Sequence, residues 1–132
     1  MELRDYTNDA VELLKALIAT PSVSRDETNA ANLMGRYLDR WGLPYGREGN
    51  NLWVGCQDWD NNRPTVMLNA HLDTVKPVAT WTREPYNPTI EGDQLYGLGS
   101  NDCGGGLVSL PLSVHVFTYS KPVIRPTFIY FP

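Results

Sequence analysis

The hydrophobic pattern changes period at Gly42, and this change narrows the fold more than any other feature of the chain. Before it, apolar residues recur at helical spacing. In "TNDAVELLKALIATPS", Val11, Leu14, Leu17 and Ile18 share one face and Pro21 closes the run. Thr7 stands where a cap is expected, with Asp9 placed to favour the helix dipole. Ser24 and Glu27 have the spacing of a capping box for a second helix. Ala30, Leu33, Met34, Tyr37, Leu38 and Trp41 then form its apolar stripe, and Gly42 is a natural end. Both stripes read as core-packing faces. After Gly42 the apolar runs are short and bounded by turn residues. "NLWVGC" (51–56) and "TVMLNA" (65–70) read as strands, joined by the hairpin-like loop "DNNRP" (60–64). Ile90 and Leu95-Tyr96 flank a turn at Gly92-Asp93 and read as a further hairpin. Helices followed by strands predict an α/β fold, with helices packed on a mixed sheet.

A chain of 132 residues is one domain by length. A formal net charge of −4 argues against nucleic-acid binding, which calls for a basic face. No run of about 18 apolar residues offers a membrane span. The acidic N-terminal stretch does not resemble a signal peptide. Two cysteines, Cys56 and Cys103, without a C-x-x-C pattern, read as reduced thiols of a cytoplasmic protein.

Two segments carry polar residues in a pattern that suggests chemistry. In "NAHLDTVKP" (69–77), His71 and Asp73 stand two apart just after an expected strand. An extended backbone puts both on one side, at the carboxyl end of the strand where open α/β sheets bind ligands. A ligating histidine needs a partner on its other ring nitrogen, and Asp73 can supply one. Taken alone, the pair reads more readily as a solvated loop or a structural hydrogen bond than as a ligand pair. "GLGSNDCGGG" (97–106) adds one carboxylate, Asp102, among five glycines. A carboxylate can bridge two divalent ions held about 3.5–4 Å apart. Competing motifs fit poorly. A phosphate loop needs Lys where Gly105 stands, and the dinucleotide fingerprint needs Gly where Asp102 stands. Cys103 as a nucleophile, with His71 or His115 as its base, lacks an identifiable orienting partner. His115 lies in the apolar stretch "SVHVF" and reads as half-buried or exposed rather than as a ligand.

"VMLNAHLDTVKP" followed by "LYGLGSNDCGGGLVSL" resembles the di-zinc metallopeptidase and deacylase family, which includes acetylornithine deacetylases, succinyl-diaminopimelate desuccinylases and aminoacylases. "ATPSVS" resembles the family's opening helix and turn, so the likeness runs from the N-terminal helix to about Leu110. The resemblance implies two zinc ions, with cobalt an alternative. It implies that His71 binds one ion, that Asp73 orients His71 as a catalytic carboxylate, and that Asp102 bridges both. It also implies a small N-acyl amino acid as substrate, hydrolysis of its amide bond, and a homodimer for an intact member. Gly104 stands where the family usually has Lys. That departure resembles a subset acting on N-acetyl- or N-succinyl-ornithine in arginine biosynthesis.

The second half of such a site is missing from the pattern. Beyond Asp102 the chain has no Asp or Glu, and "PLSVHVFTYSKPVIRPTFIYFP" (111–132) holds four prolines, which speak against the long helix the family would place there. The expectation is a partial catalytic domain over 1–110, an atypical tail over 111–132 that reads as truncated or frame-shifted, and no dimerisation domain. Such a chain would be inactive alone. A second reading is a non-catalytic scaffold or interaction fragment, with the apolar tail as an exposed strand.

Overall fold

The computed structural model describes residues 3–56, 62, 64–119 and 127–129. Helix α1 (Leu3–Ile18) begins ahead of the expected cap at Thr7, with Asp5 in its first turn. Helix α2 (Thr28–Arg40) follows its apolar stripe: Ala30, Leu33, Met34 and Leu38 are buried. The expected capping box does not form. Glu27 holds the cap position without a side-chain capping bond, and its carboxylate accepts instead from Arg25 N–H and from Asn50 Nδ2 at 3.3 Å. The end of α2 is as expected. Gly42 has φ +66°, its N–H donates to Asp39 O at 3.0 Å, and Leu43 N–H donates to Leu38 O at 2.9 Å. This is a Schellman close, which glycine makes without strain.

The chain then forms β1 (Tyr45–Glu48) and β2 (Asn51–Val54), an antiparallel hairpin turning at Gly49-Asn50. The sequence reading missed β1. Strand β3 (Met67–Leu68) is shorter than the run expected for it. The order in the sheet is β1-β2-β6-β3. Strand β6 (Thr127–Ile129) therefore lies between the two strands expected to form a hairpin. It pairs antiparallel with β2 (Val54 opposite Phe128) and parallel with β3 (Leu68 opposite Phe128). The expected 60–64 hairpin is thus corrected: β2 turns back on β1, and most of that loop lies outside the described residues. The sheet is mixed, as anticipated. A second small sheet pairs β4 (Thr89–Glu91) with β5 (Gln94–Tyr96) across Gly92-Asp93, where Gly92 has φ +63°.

Helix α3 (Gly105–Tyr119) runs straight through Pro111 and so corrects the expectation that the prolines exclude a helix here. A proline in a helix interior costs about 3 kcal/mol. Pro111 and Val114 are fully buried, and Leu107, Val108 and Leu112 nearly so. Burying each large apolar side chain contributes about 1.5–3 kcal/mol, so the packing face outweighs the proline. The remaining three prolines of the tail lie outside the described residues.

The core is where α1, α2 and α3 meet the sheet. Leu13, Met34, Leu38, Leu52, Val54, Pro111 and Val114 are its fully buried large side chains. Leu52 and Val54 face the helices while Trp53 between them is exposed, the alternation of a sheet covered on one face. Helix α1 packs on α2 and α3, and α3 lies against β6. Among the described residues no helix is long and apolar enough to cross a membrane.

Candidate metal centre

The loop leaving β3 carries His71 to the carboxyl end of the strand, as the sequence predicts. A second chain segment holds this loop in place. Val23, in the connection between α1 and α2, forms a parallel bridge with Thr74. Thr74 N–H donates to Ser22 O at 2.8 Å, Ser24 N–H to Thr74 O at 3.2 Å, and Ser22 Oγ to Leu72 O at 3.1 Å. Leu72 points into the core and is buried, so its neighbours His71 and Asp73 face outward together.

Asp102 arrives from the other side, on a wide turn over Ser100–Gly104 that opens α3. Its own backbone is extended, with φ −120° and ψ 92°, and the Asp102–Cys103 peptide is cis. The turn is closed by Gly104 N–H donating to Gly99 O at 2.8 Å. A Cβ on Gly104 would lie 2.6 Å from that oxygen and 2.6 Å from Leu14 Cδ1, so only glycine fits without displacement. Gly99, at φ +77°, starts the turn.

The three carboxylate and imidazole groups converge. His71 Nε2 is 2.9 Å from Asp102 Oδ1, and His71 Nδ1 is 3.0 Å from Asp73 Oδ1. Asp73 Oδ2 accepts from Ser24 Oγ. Burial alone would lower the His71 pKa. The hydrogen bond to Asp102, the bond to the Asp73 carbonyl and the charges of both carboxylates outweigh it and raise the pKa. The Asp102 side chain is 90% exposed, which leaves its second oxygen open to a further ligand. A cavity of about 340 Å³ opens here, lined by His71, Asp73, Thr74, Trp81 and Asp102. The Thr74 hydroxyl is buried without a partner.

An imidazole nitrogen and a carboxylate oxygen, here in contact with each other at 2.9 Å, are ligand types that zinc takes. Asp73 on Nδ1 would leave Nε2 as the donor, the usual support for a ligating histidine. The fit is partial. Among the described residues no group of three or more His, Cys, Asp or Glu could hold a metal ion, and a closed zinc site takes four ligands.

The other candidates separate from the centre. His71 N–H donates to Cys103 Sγ at 3.2 Å, and the thiol donates to His71 O at 3.3 Å. Burial raises the Cys103 pKa, which keeps the thiol protonated and removes it as a nucleophile at neutral pH. Neither cysteine is in a disulfide. His115 is half-buried, as anticipated. Its Nδ1 is 3.0 Å from the Tyr6 hydroxyl, and burial lowers its pKa. Glu91 is held by Arg83 through contacts of 2.6 and 2.9 Å, with the guanidinium 3.8 Å above the Tyr96 ring. Sequence reasoning missed Ser22 and Ser24. Their only local signal, a "PSVS" turn between two helices, says nothing of a partner near residue 73.

Known proteins share this arrangement of segments. Residues 67–123 match the model of peptidase family M20/M25/M40, so the match enters the tail beyond Leu110. A succinyl-diaminopimelate desuccinylase of Variovorax paradoxus (strain S110) is 30% identical over 128 residues, 89% of this chain and 33% of that protein. A desuccinylase of Marinobacter nauticus is 32% identical over 119 residues, 85% of this chain and 31% of that protein. The chain therefore spans about a third of the length of the curated relatives it matches. An M20 family metallo-carboxypeptidase of Sulfolobus solfataricus superposes with a TM-score of 0.72 at 22% identity, over 98% of this chain and 30% of that one. A dipeptidase of Saccharomyces cerevisiae superposes with a TM-score of 0.73 at 19% identity, over 96% of this chain and 32% of that one. At such identities the superpositions show the fold alone. The two motifs, the family model over residues 67–123 and the fold agree: this chain resembles the peptidase M20/M25/M40 family, over about a third of the length of the relatives it matches.

Proposed function

We propose that this region belongs to a metal-dependent hydrolase that cleaves the amide bond of a small N-acyl amino acid. The observation that carries the reading is the His71 ring held between Asp73 and Asp102 at the carboxyl end of β3. His71 and Asp102 would hold zinc, with cobalt as a substitute, and Asp102 would be shared between two ions. Bound metal supplies a Lewis acid that polarises the acyl carbonyl and lowers the pKa of a water. The chain's own residues orient and expose the donors. Asp73 fixes the His71 ring and keeps the proton on Nδ1. Leu72 and Leu98 exclude water from beneath the site. The cavity beside Trp81 and Thr74 takes the acyl amino acid.

The finer reading is N-acyl-ornithine, acetyl or succinyl, from the resemblance at Gly104. The relatives named above are desuccinylases of a different amino acid, so N-succinyl-diaminopimelate is the competing substrate. In this reading residues 1–110 form the catalytic part and residues 111–132 an atypical tail, into which the family match reaches as far as residue 123. The intact enzyme is a homodimer of the cytoplasm, and the absence of a disulfide at Cys56 and Cys103 is consistent with that setting. The described residues offer two metal donors, and Glu91 is engaged by Arg83 away from the centre. Among the described residues no carboxylate is placed as a general base, a role usually worth about 10² to 10⁴ in rate.

The test has two arms. The purified 132-residue chain with zinc is expected to release no amine from N-acetyl-ornithine, N-succinyl-ornithine or N-succinyl-diaminopimelate. Residues 1–119 joined to the remaining length of the Variovorax paradoxus relative are expected to hydrolyse one of the three, with loss on His71→Ala. Turnover by the short chain that disappears with a chelator and with His71→Ala would show that the missing ligands lie within it. A folded chimera that is inactive on all three substrates would overturn the deacylase reading.

A further inference from the structure

We infer that Ser24 is a positioning residue for the candidate centre: it fixes the Asp73 carboxylate, and through it the His71 ring. The inference rests on geometry. The Ser24 hydroxyl donates to Asp73 Oδ2, while Asp73 Oδ1 faces His71 Nδ1 at 3.0 Å. Each oxygen of the carboxylate is therefore engaged in a different direction, which fixes the Asp73 χ1 rotamer as well as the rotation about the Cβ–Cγ bond. Ser24 is itself held. Its N–H donates to Thr74 O at 3.2 Å, and the returning bond from Thr74 N–H to Ser22 O is 2.8 Å. These are the two bonds of a parallel bridge centred on Val23 and Thr74. The Ser22 hydroxyl, on a buried residue, adds a bond to Leu72 O at 3.1 Å. The "PSVS" connection thus follows the backbone of residues 72–74 and presents one hydroxyl to the single carboxylate that touches Nδ1. It also explains why Ser24 is not available to cap α2.

Without the hydroxyl, Asp73 keeps its backbone position but loses one of its two side-chain restraints. Its carboxylate then samples rotamers that leave Nδ1 with only the Asp73 main-chain carbonyl, 3.0 Å away, as a partner. Groups that orient a ligating histidine typically change metal affinity by about 10- to 100-fold. Ser24 acts one step further out, so the lower end, about 10-fold, is expected. The metal consequence rests on the function proposed above, whereas the ordering of Asp73 does not.

The experiment uses the full 132-residue chain and three forms: wild type, Ser24→Ala and Ser24→Thr. The first measurement is metal-free. Three-bond NMR couplings report the Asp73 χ1 rotamer, and thermal melting reports the fold. Wild type and Ser24→Thr are expected to show one Asp73 rotamer, Ser24→Ala an average, and all three the same melting temperature. A single Asp73 rotamer in Ser24→Ala overturns the inference, as does averaging in Ser24→Thr to the same extent. The second measurement is zinc affinity by competition with a chromophoric chelator. Ser24→Ala is expected to bind about 10-fold more weakly and Ser24→Thr to recover most of the loss. Absence of zinc binding by the wild type, with Asp73 averaging only in Ser24→Ala, would sink the metal reading and leave the positioning role standing.

Discussion

Asp102 and Gly104 show how closely one residue can be tied to its setting. Asp102 reaches His71 because the turn beneath it is drawn tight at Gly104, and that closeness has a testable cost. A methyl at position 104 would sit 2.6 Å from the Gly99 carbonyl oxygen, and backbone cannot swing aside as a flexible side chain can. Gly104→Ala is expected to destabilise the chain by about 2 kcal/mol, the usual scale for forced overpacking, as read from urea unfolding. The histidines give a second prediction, because the chain has only two and they shift in opposite senses. The His71 pKa is raised above its ordinary 6.5, so its contribution is complete below that value and is lost as pH rises through the folded-state pKa. The His115 pKa is lowered, so its contribution is complete above 6.5 and is lost as pH falls toward the folded-state pKa. Between about pH 7.5 and 5.5, where histidines titrate, acidification should lower the melting temperature more in metal-free His71→Asn than in wild type. It should lower it less in His115→Asn. Equal slopes in all three forms would show that neither ring titrates differently on folding. At this scale the sequence was informative about chemistry and silent about support. The "HLD" and "SND" segments announce their histidine and carboxylates, but the bond from Ser24 to Asp73 joins residues 49 apart and leaves no local trace.

Local pattern predicts the elements that local forces make. The α2 stripe and its Schellman close were legible because helical spacing and a positive-φ glycine are properties of a dozen consecutive residues. The β4–β5 hairpin was legible from Gly92-Asp93 for the same reason. The start of α2 was misread because Ser24 and Glu27 have capping spacing yet spend their side chains elsewhere. Helix α3 was misread because the cost of Pro111 is local while its compensation comes from α1 and the sheet. That balance predicts the effect of removing the proline. Pro111→Ala restores a backbone donor and removes a penalty of about 3 kcal/mol. It also gives up roughly two buried methylenes, about 1.6 kcal/mol. The variant is expected to be more stable by about 1 kcal/mol in denaturant unfolding. A large destabilisation instead would show that Pro111 fills space no relaxation can recover.

For the whole molecule, the overall α/β class and the mixed sheet could be read from the change of period at Gly42, but the strand order could not. The expectation of β2 beside β3 assumed that neighbours in sequence are neighbours in the sheet, and β6 lies between them instead. Among the described residues the sheet ends at β3, where Met67 is 52% and Leu68 37% exposed, with Val66 beside them at 54%. An apolar edge strand without a charge or proline within it invites another strand. Concentration-dependent self-association is expected in sedimentation, and Met67→Lys should reduce it while costing no more than about half a kcal/mol of stability in denaturant unfolding, as for an exposed site. Undiminished association in that variant would place the contact elsewhere.

The placement of β6 also sets an order of events in time. Helices α1 and α2 and the β1–β2 hairpin close over short stretches of chain and can form early. Strands β2 and β3 share no hydrogen bonds with each other; each is bonded to a segment near residue 128, which pairs with Val54 and Leu68 across long loops. Closing loops of that length is slow and comes late. During synthesis the loop bearing His71 therefore emerges, and can already be fastened to Ser22 and Ser24, before the strand beneath it has a partner. The candidate centre would be assembled from the helical side first, and these strands would lock only when β6, made after both, slides between two that have been waiting for it.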